Sequence, residues 1–226
     1  MDLIVLKTKY YPDPKKIAQK YGIDEEDSLY PALASACEEV SMLAEPVVCY
    51  KKSNIDEIGS DYIVIDGVRF TGKFIADRLK GLKTVYPYVA SCGPELDSWG
   101  RNCDDLLLEY CYDDIRQGAI APIMELLHAT IAEKNGNLKL SSVNPGSIPL
   151  WPITEQQPLF ELLGSVYEKT GVRLDKTMLM YPLKSVSGIL FENEEGYCNC
   201  RICSRKNCPG RREQADEEEI LRMLNM

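Results

Sequence analysis

The sequence is short of the residues that common catalytic and nucleotide-binding sites need. It has a single histidine, His128, so a Ser-His-Asp or Cys-His arrangement would have to run through that residue. His128 stands between Leu127 and Ala129 in a helical pattern, which favours a half-exposed helix residue over a catalytic base. There is no Gly-x-Gly-x-x-Gly run and no P-loop, which argues against a standard nucleotide-binding fold.

Long apolar runs and an excess of basic charge are lacking too. No stretch approaches the roughly 20 apolar residues of a membrane span, and the start, Met1 to Leu6, has no basic region typical of a signal peptide. We therefore expect a cytoplasmic protein with no membrane partner. The formal net charge is −9 and the pI is about 4.8. Because an acidic chain repels phosphate backbones, we expect no nucleic-acid partner.

The pattern of apolar residues predicts an α+β fold. Hydrophobic and charged fractions of 45% and 27% are ordinary for a globular protein, and 226 residues suffice for one large domain or one domain plus a small appendage. Strands are predicted at 2–8, 47–51, 83–91, 138–142 and 185–191, with a hairpin at 61–70. Helices are predicted at 13–21, 27–43, 71–79, 104–132, 159–170 and 216–224, and Gly164 and Gly171 are the predicted stops in the pattern at 159–170. Their irregular alternation argues against a regular doubly wound sheet.

The longest helical pattern, 104–132, contains two residues that disfavour a straight helix. Gly118 and Pro122 interrupt it, and proline at 122 loses the hydrogen bond to the carbonyl of residue 118. Since the residue at 118 is glycine, the sequence predicts a kink rather than a complete break.

The most informative run extends from Val143 to Leu163 and contains four prolines after its first turn residue. Asn144-Pro145-Gly146-Ser147 predicts a tight turn, with proline second and glycine third. A helix then begins, either at a capping box formed by Thr154 and Gln157 or with Pro158 as its first residue. A loop so costly to order often presents its backbone to a ligand. The alternative is a plain connection that Trp151 packs against the core.

Nine cysteines form two groups. Five are scattered and are predicted to be small buried side chains: Cys37, Cys49, Cys92, Cys103 and Cys111. The other four lie in a Cys-x-Cys-x2-Cys-x4-Cys run: Cys198, Cys200, Cys203 and Cys208. In a reducing compartment such bunching favours a metal over disulfides. We predict that Cys198 and Cys200 share one side of an extended segment and that the four thiolates hold zinc or an iron–sulfur cluster. Free surface thiols are the alternative.

Two stretches together resemble a known family. The ordered series is Pro145, Gly146, Thr154, Glu155, Leu162, Leu163 and the Ser-Val-Ser-Gly run at 185–188. It is similar to the activation (reactivation) domain of cobalamin-dependent methionine synthase, which has an Arg-x-x-Pro-Gly-Tyr-Pro loop, a Thr-Glu helix start, a Leu-Leu helix end and a Ser-Val-Ser-Gly strand. The resemblance covers Leu106 to Phe191, and the first third of the chain only loosely. It implies a curved body with a mostly antiparallel twisted sheet and packed helices.

The resemblance also implies a function and a site. It predicts a body at residues 1–195 that reductively reactivates a corrinoid protein, such as methionine synthase, with S-adenosylmethionine as methyl donor to cobalt. Residues 196–226 would add a cysteine-rich knob and a terminal helix. An iron–sulfur cluster is favoured over zinc because a corrinoid reactivator needs an electron donor. The expected cofactor-binding residues are Asn144, Pro145, Gly146, Ser147, Trp151, Ser185, Val186, Ser187 and Gly188.

Two family residues are replaced in this chain. The arginine that binds S-adenosylmethionine in the family falls on Ser142, and the loop tyrosine falls on Ser147. A second hypothesis follows from these departures. The chain would be a non-enzymatic, metal-binding or redox accessory protein that docks on a corrinoid methyltransferase and does not bind S-adenosylmethionine.

Overall fold

A computed structural model describes residues 2–101, 103–194, 196–203, 205, 207, 211 and 213–224. Its strands are β1 Ile4–Lys7, β2 Val47–Tyr50, β3 Ser53–Ile58, β4 Tyr62–Ile65, β5 Val68–Thr71, β6 Thr84–Ser91, β7 Leu140–Val143, β8 Arg173–Leu174, β9 Met180–Tyr181 and β10 Ser185–Glu192. Its α-helices are α1 Pro14–Tyr21, α2 Tyr30–Leu43, α3 Lys73–Arg78, α4 Pro94–Ser98, α5 Leu106–Gly118, α6 Ile120–Lys134, α7 Gln156–Leu163, α8 Val166–Thr170 and α9 Glu217–Leu224. The predicted α+β class is confirmed.

The sheet is built around β6. Residues Tyr88–Ser91 of β6 pair with β2 on one edge and with β10 on the other, while Thr84 and Val85 pair with β3. The chain of pairs therefore runs β7–β10–β6 and then divides into β2–β1 and β3–β4–β5. All of these pairs are antiparallel. A separate antiparallel pair joins β8 to β9.

The side chains of β6 alternate between the two faces of the sheet. Helices pack on both faces, so β6 contributes to two cores. Val85 and Val89 face a core that contains Trp151 and residues of α7 and α8. Tyr86 and Tyr88 face the opposite core, where Ile123, Leu127 and Ile131 of α6 pack against them. A third core lies among α1, α2, α4 and α5.

Several predicted local features are confirmed. The Asp13 carboxylate accepts hydrogen bonds from the backbone N–H groups of Lys15 and Lys16 at 3.0 and 3.4 Å, so Asp13 caps α1. The hairpin forms between β4 and β5 with Ile65 paired to Val68. The long helical pattern is interrupted at Ala119 alone, which keeps near-helical angles (φ −64°, ψ −17°). This is the local irregularity that Gly118 and Pro122 predict.

Two predicted helix starts are wrong. The second helix begins at Tyr30, not at Asp27. The Thr154 capping box does not form, nor is Pro158 the first helical residue. A 3₁₀ turn at Ile153–Glu155 leads directly into α7, which makes Pro158 its third residue. The pattern at 159–170 forms two helices, α7 and α8, which end at the two glycines predicted as stops, Gly164 and Gly171.

The end of the described chain packs on the body. Tyr197 and Ile202 are buried in the same core as Val89 and Trp151, and the Asp216 N–H donates to the Arg201 carbonyl at 2.8 Å. The division into 1–195 and 196–226 stays a prediction, and residues 197–202 lie against the predicted body. Among the helices of the described part of the chain, none has the length and apolar character to span a membrane.

Candidate functional site

The predicted Pro–Gly turn forms as expected. The Ser147 N–H donates to the Asn144 carbonyl at 3.1 Å, and Gly146 has a φ of 79°. Proline second and a positive-φ glycine third define a type II turn. The Gly146 N–H donates to the Trp151 carbonyl at 2.8 Å, which closes the loop that follows.

The turn meets the Ser-Val-Ser-Gly strand through the Asn144 side chain. Asn144 immediately follows β7, which pairs with β10 so that Val143 lies opposite Ile189. The Asn144 amide nitrogen donates to the Ser187 carbonyl at 2.8 Å and to the Tyr88 hydroxyl at 2.9 Å. The two stretches that the sequence analysis singled out are therefore in direct contact, and we call this contact the turn–strand junction.

The junction is close-packed at Gly188. A Cβ atom added there would lie 2.6 Å from the Val143 carbonyl oxygen and 3.0 Å from the Tyr88 hydroxyl, and it would overlap the Asn144 amide nitrogen. Only glycine lets β10 pass so close to Asn144. Because the junction is filled on this side, a ligand would have to contact the turn from its exposed side.

The predicted site residues differ in their exposure. Gly146 and Ser147 are exposed, while Asn144, Ser185 and Val186 are partly buried. Pro145, Trp151, Ser187 and Gly188 are buried. The Ser185 hydroxyl lies 2.7 Å from the Pro182 carbonyl and 3.0 Å from the Ser91 hydroxyl. Ser185 therefore makes internal contacts at the beginning of β10.

The backbone of the turn is better suited to accept hydrogen bonds from a ligand than to donate them. The N–H groups of Gly146 and Ser147 already donate to Trp151 and Asn144, and Pro145 has no N–H. Gly146 and Ser147 are exposed, so we expect a ligand to contact their carbonyl groups. The turn thus presents hydrogen-bond acceptors, which suit a ligand with N–H, O–H or cationic groups.

Trp151 lies beneath the loop. Its side chain is fully buried, and its ring centroid is 6.4 Å from that of Phe70 in a tilted arrangement. The indole Nε1 is buried without a hydrogen-bond partner. Trp151 therefore supports the loop from the core, as in the packing interpretation of this run, and its contact with a ligand stays a prediction.

The turn also contacts the C-terminal segment, a contact that the sequence does not predict. The Asn199 amide nitrogen lies 3.3 Å from the Asn144 side-chain oxygen, which also accepts from the Ser142 hydroxyl at 3.3 Å. Fifty-five positions separate Asn144 and Asn199 along the chain. No local pattern signals a contact between residues so far apart.

Glu155 is a second residue near the turn whose contact the sequence does not predict. Its carboxylate accepts a hydrogen bond from the Thr71 N–H at 2.8 Å, which ties the end of the loop to β5. Burial raises the pKa of the Glu155 carboxyl, while the hydrogen bond from Thr71 acts in the opposite direction.

The cysteine run is only partly described. Cys198 is buried, Cys200 and Cys203 are half-buried, and Cys208 lies outside the described residues. The expected extended segment is wrong, because Asn199–Ile202 forms a 3₁₀ turn. The Arg211 guanidinium donates to the carbonyls of Cys200 and Cys203 at 2.9 and 3.3 Å. Within the described residues, no three His, Cys, Asp or Glu side chains come together in a group fit to hold a metal.

Four of the five scattered cysteines are buried as predicted. Cys37, Cys49, Cys92 and Cys111 are buried, and Cys103 is half-buried. Burial raises the pKa of the thiols of Cys37, Cys49 and Cys92 to about 12, so these groups are protonated at neutral pH. They are packing residues in the described fold.

Three depressions formed by described residues lie away from the turn. Two of about 440 and 430 Å³ share Gly100 and Tyr112, and the ring of Trp99 contacts that of Tyr112 at a centroid distance of 4.8 Å. A smaller one of about 150 Å³ lies between Lys7 and Lys169. None of the three is lined by a residue of the turn–strand junction.

A solved structure shares this fold. It is the crystal structure of the MetH reactivation domain bound to AdoHcy, with a TM-score of 0.59 and 18% sequence identity. The match covers 89% of this chain and 82% of that one. The predicted resemblance in fold is therefore confirmed, and the chain has the architecture of a MetH reactivation domain. No protein-family model matches the sequence, and the search of curated proteins gave no match.

Proposed function

We propose that this chain reactivates a corrinoid protein, with S-adenosylmethionine as the methyl donor to cobalt. The observation that carries the proposal is the turn–strand junction, which lies on a fold shared with a domain that binds AdoHcy. AdoHcy is what remains of S-adenosylmethionine once its methyl group has left. A fold that holds the one is therefore a suitable scaffold for the other.

The corrinoid and S-adenosylmethionine would supply the chemistry. An external one-electron reductant would convert Co(II) to Co(I), and Co(I) would take the methyl group from the sulfonium sulfur and release AdoHcy. The protein's part is to hold the donor, to orient its methyl group and to exclude water from the reacting atoms. A rigid turn suits this task, since Pro145 and the Gly146–Trp151 hydrogen bond restrict its motion before a ligand arrives.

The polar atoms of the turn suit the cationic side of S-adenosylmethionine. The carbonyls of Gly146 and Ser147 are acceptors for an ammonium group, a ribose hydroxyl or the adenine amine. The Ser147 hydroxyl stands where the family has tyrosine and adds a short donor and acceptor. The hydroxyl of Ser142, at the family's arginine position, donates to Asn144, so it contributes to the turn and brings no positive charge.

A second candidate function rests on these same two serines. Without the family's arginine and tyrosine, the chain would dock on a corrinoid methyltransferase as an accessory protein and leave S-adenosylmethionine unbound. Titration calorimetry separates the two functions. Saturable heat with S-adenosylmethionine supports the donor function, and its absence at millimolar ligand supports the accessory function.

The four-cysteine run remains a proposed site for an iron–sulfur cluster or zinc, formed by Cys198, Cys200, Cys203 and Cys208. We derive no reaction step from it, because the three described cysteines do not form a metal-binding group in this conformation. Anaerobic purification followed by metal analysis and a visible spectrum distinguishes the alternatives. Iron with a brown colour supports a cluster, one zinc in a colourless protein supports a structural site, and a metal-free protein removes both.

Methyl transfer to cobalt is the experiment that tests the main proposal. The purified chain is mixed with a Co(II) corrinoid protein, S-adenosylmethionine and a chemical reductant. We expect the visible spectrum to change to that of methyl-cobalt at a rate that rises with the amount of chain. Replacing S-adenosylmethionine by AdoHcy is the matched control and abolishes the change. An equal rate without the chain would refute the proposed function.

A further inference from the structure

We propose that Asn199 is a positioning residue that makes the C-terminal segment, residues 196–203, a part of the turn–strand junction. The inference rests on the proposed function, since it concerns the same site. It begins from the hydrogen bonds of Asn144. The Asn144 amide nitrogen donates to Ser187 and Tyr88, and its oxygen accepts from Ser142 and Asn199. Because both the nitrogen and the oxygen of this carboxamide are hydrogen-bonded, the Asn144 side chain restricts the position of the turn.

Three of the four partners belong to the sheet and one does not. Ser142, Tyr88 and Ser187 lie on β7, β6 and β10, which are paired to one another. Asn199 is the partner that the C-terminal segment supplies, and it lies on the 3₁₀ turn between Cys198 and Cys203. The segment therefore completes the hydrogen bonding of a residue that fixes the predicted ligand-binding turn.

The segment is held firmly enough to position Asn199. The Tyr197 ring lies 6.4 Å from each of the rings of Phe74 and Phe191, and the Arg78 guanidinium lies 3.9 Å from the Tyr197 ring centre. On the other side of Asn199, Ile202 is buried in the same core. Two anchors on either side of Asn199 restrict where its carboxamide can lie.

Within the described residues, two polar atoms at the junction have unfilled hydrogen-bonding capacity. The Asn199 side-chain oxygen and the Ser187 hydroxyl oxygen are buried without a hydrogen-bond partner. Both residues are bonded to Asn144 through other atoms. Neither atom is open to a ligand that contacts the exposed side of the turn, so the positioning role of Asn199 rests on its bond to Asn144.

The contact couples the cysteine run to the turn. Cys198 and Cys200 are the chain neighbours of Asn199, so a reorganisation of either cysteine displaces the Asn199 side chain and loosens the turn. Linkage requires the reverse effect too, because a ligand that fixes the turn must also fix the cysteines. A reorganisation of the cysteine run therefore changes the affinity of the turn for its ligand.

The test compares three proteins: the wild type, Asn199→Ala and Arg201→Ala. Arg201 is the matched control, because it lies on the same 3₁₀ turn and forms an ion pair with Asp216. Hydrogen exchange is measured at the amides of Gly146 and Ser147 without any ligand. We expect roughly tenfold faster exchange in Asn199→Ala, the upper range for one lost hydrogen bond, and wild-type exchange in Arg201→Ala.

The inference and the proposed function fail in different ways. If Asn199→Ala leaves the exchange of both amides unchanged, the coupling is refuted whatever the protein binds. If exchange accelerates but the wild type gives no calorimetric heat with S-adenosylmethionine, the coupling holds and the proposed donor function fails. A third readout is alkylation of Cys200 and Cys203, which we expect S-adenosylmethionine to slow in the wild type and not in Asn199→Ala. Equal slowing in both proteins would contradict the coupling.

Discussion

Gly188→Ala is expected to lower the free energy of unfolding by about 3 kcal/mol, near the upper limit for overpacking a close-packed position. The added methyl group would lie 2.6 Å from the Val143 carbonyl oxygen, and it would overlap the Asn144 amide nitrogen. Neither atom can retreat freely, since β7 is paired to β10 and Asn144 donates to Ser187 and Tyr88. We expect β10 and the turn to separate locally before the rest of the sheet unfolds.

Thermal and urea unfolding measure this effect. For a chain of this size, a loss of about 3 kcal/mol corresponds to a Tm roughly 10 °C lower. Gly59→Ala is the matched control, because the three atoms nearest an added Cβ there all belong to the side chain of Tyr62 and none to the backbone. The packing of the junction would be refuted if Gly188→Ala were as stable as Gly59→Ala.

Gly146→Ala is expected to weaken S-adenosylmethionine binding by tenfold or more, equivalent to about 1.4 kcal/mol. Gly146 has a φ of 79°, which L-residues adopt only at a cost of roughly 1–2 kcal/mol. An added Cβ would also lie 2.9 Å from the Ile153 Cβ. Both effects reshape the turn whose exposed carbonyls we propose as ligand contacts, while the buried core is left intact.

Calorimetry on two variants separates the effect of reshaping the turn on ligand affinity from the effect of backbone strain alone. Gly136→Ala is the control, because Gly136 has a φ of 81°, has open space around it and lies in the loop before β7, whereas the turn follows β7. We expect both variants to lose similar stability and only Gly146→Ala to lose affinity. Equal affinity in Gly146→Ala and the wild type would exclude the turn as the ligand site.

Local chemistry allowed the elements and the turn to be predicted. Proline followed by glycine defines the type II turn at 144–147, and β-prone runs locate β6 and β10, because these signals act within a few residues. The start of α7 was missed for the opposite reason. Residues 153–155 form a 3₁₀ turn and Glu155 accepts a hydrogen bond from Thr71, a partner on a distant strand.

The site could be predicted only as two stretches. Their contact depends on the pairing of β7 with β10, and the role of Asn144 depends on Tyr88 and Asn199, which lie 56 and 55 positions away. Proline and glycine content also does not reveal that the N–H groups of Gly146 and Ser147 are used internally. Sequence patterns report what one segment favours, whereas these contacts arise from the assembled sheet.

Hydrogen exchange with and without S-adenosylmethionine tests most directly whether the junction binds the methyl donor. At saturating ligand we predict slower exchange at the amides of Gly146, Ser147 and Gly188, with unchanged exchange around Trp99 and Tyr112. Protection around Trp99 and Tyr112 with none at the turn would place the ligand in the depression there and contradict the account.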